Sequence, residues 1–309
     1  MVARIFAIAM NTYREAVRAR VLFGLLAAAL AASAYSLVIA TMSIKQEMRI
    51  VADIGSASIS AFAVLVAIIL GATSLYRELE LKTIFPILTR RLRRPEYIVG
   101  KYLGILAVLV AFVAIDGAAV LTVLSIQGGA TTAAAAGSGT LLVVLAILLW
   151  RAKLTRVFVV LPWSLVAFVV MALIASGAGA ERRIVVLSAV LTVAEVGIVT
   201  AIALLFSSFS SPFLTAIFTT MVFLIGRSAD TLGNLPERIF GSAVHTAGSV
   251  LAKVFPNLNA YVPARPVLLG LVPTVPIAGY MMSALGNAVL YAVVLLVISS
   301  IVFRRRDFT

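Results

Sequence analysis

Long apolar runs alternate with short polar interruptions along this chain. Residues 21 to about 42, 58–76 and 97 to about 126 are three such runs. Roughly 20 apolar residues cross the hydrocarbon of a bilayer as a helix, so each predicts a transmembrane span. Residues 184–206, 213 to about 225 and 284–303 predict three more. Between these groups, 140–150 is too short to cross alone, but adding 133–136 makes it long enough. A second run, 157–176, follows a basic turn at Arg151, Lys153 and Arg156 and contains Pro162. The pair predicts an extra hairpin. The alternative, in which neither run crosses, leaves every later helix with the same orientation.

The first 20 residues follow a helical period. Val2, Ile5, Phe6, Ala9, Tyr13, Ala16 and Val17 share one face, and Arg4, Asn11, Glu15 and Arg18 the other. That pattern predicts an amphipathic helix lying in the membrane interface. A cleaved signal peptide is the alternative, with small residues at Ala32–Ala34, but the apolar run continues past that site. Polar connections are expected at 43–57 and 127–139, with a short turn at 207–212 and Pro212 opening the next helix. The longest connection, 227–283, holds a second amphipathic pattern. Phe240, Val244, Ala247, Leu251 and Val254 form its apolar side, while Arg238, Ser242, His245, Ser249 and Lys253 form its polar side. Pro256, Pro263, Pro266, Pro273 and Pro276 then break the chain into short pieces, acceptable at membrane depth only where protein shields them.

Composition agrees with this reading. Of 309 residues, 62% are hydrophobic and 12% charged, and mean hydropathy is +1.14. Soluble domains carry roughly a quarter charged residues. The fold class is therefore an all-α polytopic membrane protein: six core spans, an extra hairpin, an N-terminal interfacial helix, and short external helices before the last span. All of it, 1–309, reads as one transmembrane domain. With no cysteine, disulfides, thiolate metal sites and cysteine nucleophiles are excluded. A net charge of +13 invites a nucleic-acid partner, but its distribution argues otherwise. The predicted topology puts 17 of the 25 Lys and Arg on one side and 8 on the other. That is the positive-inside pattern, with both termini in the cytoplasm, and it needs no nucleic acid.

One interruption differs from the rest. Residues 77–104 read RELELKTIFPILTRRLRRPEYIVGKYLG, with seven Lys or Arg at 77, 82, 90, 91, 93, 94 and 101. Glu78, Glu80 and Glu96 sit among them, beside apolar Leu79, Ile84, Phe85 and Leu88. Topology needs only positive charge. The interleaved acids and apolar residues suggest a cytoplasmic surface for a partner, against the plainer reading of a basic loop.

These stretches, in this order, resemble the permease subunits of ABC-2 type transporters, nearest the subgroup named for nitrous oxide reductase (copper enzyme) maturation. The resemblance covers about two thirds of the chain. It is carried by NTYREAVRARVLF, ADIGSASISAFAVLVAIILGATSLYRELE, KTIFPILTRRLRRPEYIVGKYLG, EVGIVTAIALLFSSFSSP, FPNLNAY and the terminal FRRRDF. Residues about 130–183 are longer than the pattern. The resemblance implies an elbow helix at 1–20, a coupling segment at 77–96 and external helices in 227–283. It also implies a second permease subunit, a separate ABC ATPase subunit that binds ATP and Mg, accessory periplasmic proteins, export, and a bacterial cytoplasmic (inner) membrane. No G-x-x-x-x-G-K-[ST] phosphate loop occurs, since Gly100-Lys101 is followed by Tyr102. ATP hydrolysis is thus expected of the partner, with no catalytic residue, cofactor or metal in this chain.

The coupling candidates are Arg77, Glu78, Glu80, Lys82, Arg90, Arg91, Arg93 and Arg94. Gly100 and Gly104 form a G-x-x-x-G helix-packing pair, within one subunit or at a dimer seam. Glu195 falls near the middle of its span, where a carboxyl is costly and is usually partnered. A hydroxyl on a neighbouring span is the expected structural partner, and a substrate-path or proton-relay role the functional one. Asp116 is expected near the outer face in contact with water. His245, the only histidine, is expected on the wet face of its helix. Two other classes stay in view: a proton-coupled secondary transporter using Glu195, and a membrane anchor for an extracytoplasmic assembly. An intramembrane hydrolase lacks the necessary groups.

Overall fold

A computed structural model describes residues 2–43, 45–80, 94–152, 155–272 and 276–304, except for the side chains of 76–80, 237, 240 and 304. The described residues form helices and the turns between them, with no strand. Six stretches among the described residues are long and apolar enough to cross a membrane. Pro212–Arg227, expected as a core span, has 16 residues and is not one of them, whereas Thr131–Arg151 of the extra hairpin is. One of the six, 156–207, is two helices folded back at a 3-10 turn, Ala175–Ala178. The chain is an all-α multi-pass membrane protein.

In chain order the helices are α1 (Val2–Val17), α2 (Arg20–Thr41), α3 (Glu47–Glu80), α4 (Arg94–Gln127), α5 (Thr131–Arg151) and α6 (Arg156–Ile174). Then come α7 (Gly179–Ser207), α8 (Pro212–Arg227), α9 (Ala229–Gly233), α10 (Glu237–Val254), α11 (Arg265–Leu269) and α12 (Ile277–Arg304). Several begin earlier than the apolar runs. The polar connection expected at 43–57 is helical from Glu47, so α3 has 34 residues, roughly 51 Å at 1.5 Å per residue. That exceeds the ~30 Å hydrocarbon layer, leaving room for polar helical ends on both sides. Likewise α12 begins at Ile277 rather than 284.

The core lies around α7. Every residue from Ala194 to Leu204 is buried, including Glu195 and Thr200, because α3, α4, α8 and α12 pack around it. By contrast α5 buries only Ala134 along its length and leans on α6, where Trp163 Nε1 donates to the Leu141 carbonyl at 3.0 Å. α2 turns a small-residue face, Ala29, Ser33, Ser36 and Ala40, toward the core, with Leu22, Leu25 and Leu26 partly buried beside it. Exposed Leu and Val on α5, α6 and α12 are what a lipid-facing surface requires.

The extra hairpin runs the length of the bundle. Its far turn lies at the C-terminal end of α4, where a Cβ on Gly177 would stand 3.3 Å from the Gly128 carbonyl. Its other turn lies at the opposite end, where Tyr13 of α1 stacks on Phe158 (6.2 Å) and donates to the Val157 carbonyl at 3.1 Å. The bundle therefore has an α1 end and a far end, and both α5 and α6 connect them.

α1 crosses the start of α4. Its buried face is Thr12, Tyr13 and Ala16, with Ile5, Ile8 and Ala9 partly covered, while Val2 and Phe6 stay exposed. Thr12 thus takes a place in the contact, and two of the expected apolar residues face outward, as an interfacial helix dipping into lipid would have them.

Candidate functional site

Three polar constellations hold this apolar bundle together. The deepest involves Glu195. α8 has only 16 residues, so its C-terminal Arg227 stops roughly 22 Å above Pro212. Glu195 stands roughly 18 Å from the other side of the same turn, at Ser207. The two side chains therefore arrive at one depth. Arg227 Nη1 lies 3.1 Å from Glu195 Oε1, an ion pair without hydrogen-bond alignment. Ser60 of α3 completes it, donating to Glu195 Oε2 at 3.1 Å and accepting from Arg227 Nη2 at 3.1 Å. A neighbouring-span hydroxyl is present, then, but the main partner is an arginine that the sequence reading placed at the start of an external connection.

Asp116 corrects its expectation of solvent contact. It is fully buried, and Ser33 Oγ of α2 donates to its Oδ1 at 2.9 Å. Its position along α4 was legible, but not the face it occupies. Oδ2 has no hydrogen-bond partner among the described residues.

At the far end, residues 229–261 fold back onto the short α8. Leu258, Tyr261 and Leu268 are buried, whereas Val262, Pro266 and Leu271 are exposed, so the proline-broken pieces are shielded by protein only in part. Asn257 and Asn259 each donate to Asp230 at 2.7 Å, the two asparagines of FPNLNAY clamping α9. Tyr261 donates to the Ala284 carbonyl at 3.2 Å, and burial pushes its hydroxyl up to about 12, so it stays a neutral donor. Arg265 bridges Asp53 of α3, at 2.5 Å, and Glu181 of α7. α10 kinks at Gly241, which has φ +80, and leaves Val244, Val250 and Val254 exposed. His245 is half-buried, its Nδ1 2.7 Å from the Leu235 carbonyl, so its ring is tied to the chain rather than displayed.

The third constellation is at the α1 end. Arg94 Nη1 donates to the Phe303 carbonyl at 2.8 Å and its guanidinium sits over the Phe303 ring. Tyr97 stacks on the same ring at 6.1 Å. Lys101, 1% exposed, donates to the Ser74 carbonyl at 3.4 Å and lies over Tyr97. Glu96 is buried 3.9 Å from Arg4 of α1. Hence the end of α3, the start of α4, the end of α12 and α1 are tied together. Gly100 and Gly104 lie beneath α1: a Cβ on Gly104 would meet the Ala9 carbonyl and Thr12 Cβ, both at 2.6 Å. Their close approach is within one chain.

Of the coupling candidates, Arg94 belongs to this clamp. Arg77, Glu78 and Glu80 lie on the last turns of α3, in the part whose side chains are not described. Lys82, Arg90, Arg91 and Arg93 lie outside the described residues. Sequence reasoning missed Arg227, Ser60, Ser33 and Lys101. A charged residue at the edge of an apolar run is the one available signal, and it marks Arg227 and Lys101 without giving their partners. Among the described residues no cluster of His, Asp or Glu could hold a metal ion. Comparison with family models found no match, and comparison with curated proteins found none.

Proposed function

We propose that this chain is the membrane-spanning subunit of an ATP-driven exporter of the ABC-2 type, working with a separate ATPase subunit and a second permease subunit in a bacterial cytoplasmic membrane. The observation that supports it best is the clamp at the α1 end. The charged segment 81–93 joins two helices of 34 residues each, and the helix ends on either side of it are tied to each other through Lys101 and Ser74, to α12 through Arg94 and Phe303, and to α1 through Glu96 and Arg4. A push on that segment would be passed to four helices at once rather than absorbed in a loose loop. Nucleotide chemistry is left to the partner, as the missing phosphate loop requires. The positive excess at this end agrees with a cytoplasmic location for both termini.

In this reading Glu78 and Glu80 contact the ATPase, and the run from Arg90 to Arg94 holds the segment against the membrane surface. The test is reconstitution of the chain with its co-purifying ATPase in vesicles, with Glu78→Lys and Glu80→Lys introduced together. Transport-coupled ATP hydrolysis is expected to fall at least about tenfold, the equivalent of about 1.4 kcal/mol of lost coupling. Unchanged coupled hydrolysis removes the role. The buried Glu195–Arg227 pair beside a cavity favours a second reading, proton-coupled transport. That reading would be supported instead by transport under a pH gradient in vesicles lacking any ATPase.

A further inference from the structure

The extra hairpin leaves a groove beside it. α2 and the hairpin both pack on α4, and between them an opening of about 510 Å³ remains. Its walls are apolar: Leu22 and Leu26 of α2, Phe112 of α4, Leu145 and Leu149 of α5, and Trp163 of α6. Phe112 is buried, and the four leucines are half-buried. Helices this apolar lie in hydrocarbon, so the groove borders lipid.

Two charges stand at its α1 end. Arg18, just past α1, and Arg156, which opens α6, line the same groove, and both are exposed. Neither guanidinium has a salt bridge or hydrogen bond among the described residues. Glu15, the nearest acid to Arg18 along the chain, lines a different cavity, against α2 and α3. Glu181, the nearest to Arg156, is bound to Arg265 at the far end. By contrast the cavity beside α8, about 560 Å³, has both of its arginines committed, one to Glu195 and the other to Asp53 and Glu181. Along α6, Trp163 stands roughly 10 Å from Arg156. The groove therefore leads from a pair of open guanidiniums into the hydrocarbon. A guanidinium presents N–H donors in a fork that matches a phosphate.

We propose that this groove holds one anionic phospholipid of the leaflet at the α1 end, its phosphate on Arg18 and Arg156 and one acyl chain along Leu149, Leu145 and Trp163. Open guanidiniums call for an anion and the apolar walls for a chain, and a bilayer supplies both in one molecule. The site lies where the chain is longer than the ABC-2 pattern. It requires only that the chain be a membrane protein, whether or not it is an exporter subunit.

The experiment uses the full chain carrying Trp150→Phe, which leaves Trp163 as its one tryptophan, in micelles of neutral detergent. Phosphatidylglycerol and phosphatidylcholine, each with bromine on an acyl chain, are added separately, since bromine quenches indole fluorescence at contact range. Phosphatidylglycerol is expected to quench Trp163 at a mole fraction at least about tenfold lower than phosphatidylcholine. Arg18→Gln together with Arg156→Gln should bring the two lipids within about twofold of each other. Arg14→Gln together with Arg20→Gln removes as much charge from exposed residues at the same end that do not line the groove, and should keep the preference. Equal quenching by the two lipids before any arginine is changed overturns the proposal, because the groove then holds ordinary surrounding lipid. So does an unchanged preference in the Arg18 and Arg156 variant. An equal loss in both double variants overturns it as well, and means a diffuse surface attraction. Absence of quenching by either lipid does the same, and means that protein covers the groove.

Discussion

At the scale of single residues, the Glu195–Arg227–Ser60 group shows how a membrane core tolerates charge. Each ion alone would carry a desolvation cost of several kcal/mol, which only a close partner offsets. Arg227 also sits at the C-terminus of α8, where the exposed carbonyls of the last turn favour a cation. Arg227→Met should therefore lower stability by roughly 3 kcal/mol, the low end for breaking a buried pair, since Arg227 keeps some exposure. Combining it with Glu195→Gln removes the orphaned charge and should recover most of the loss. Thermal unfolding of the purified chain in detergent reads both. A double variant no more stable than the single one would show that the pair is not a unit. Sequence reading identified Glu195 as a group needing a partner because its depth follows from the fixed rise per residue. Arg227 escaped it because the meeting depends on how far a different helix, α8, is cut short.

At the scale of elements, the crossing of α1 over α4 depends on Gly100 and Gly104. A side chain at 104 would have to push α1 away from the Ala9 carbonyl, and backbone does not yield as a flexible side chain does. Gly104→Val should destabilise by about 1–3 kcal/mol through overpacking. It should also speed tryptic cleavage after Arg14 or Arg18 as α1 lifts. A Cβ on Gly24 would have no neighbouring atom within 4 Å, so Gly24→Ala should leave both readouts unchanged or slightly raise stability. Equal effects at the two glycines would mean that the crossing is not close. The sequence marks the pair G-x-x-x-G plainly. It does not say that the partner is the chain's own first helix rather than a second subunit, because small residues permit close approach by any helix.

At the scale of the whole molecule, two ends and one central helix organise everything else. The bundle is held by the α1-end clamp and by the Arg265 bridge at the far end, with the Glu195 group between them. The cysteine-free sequence makes the path of the extra hairpin directly testable. Single-cysteine variants Ala130→Cys and Ser176→Cys should react with a membrane-impermeant maleimide from one side of sealed vesicles, and Thr155→Cys from the other. Labelling of all three from one side would mean that α5 and α6 do not cross. Here the positive-inside rule gave no decision, since both topologies leave later helices oriented alike. The contacts of Tyr13 with Phe158 and of Gly128 with Gly177 put the two turns at opposite ends of the bundle, which is what the labelling tests.

What the sequence by itself determined is the membrane class, the positions of the long apolar helices, the amphipathic first helix and the charged segment between α3 and α4. All are one-dimensional properties: lipid demands a run of a certain length, and a polar break ends it. Only the tertiary structure decided which helix is central. α5 and α4 are both apolar enough to cross, yet in their most apolar stretches 6% of residues are buried in one and 67% in the other. A helix that is apolar all round carries no sided pattern to tell lipid from protein. Partnerships such as Arg227 with Glu195 follow from that packing, and no local pattern along the chain encodes them.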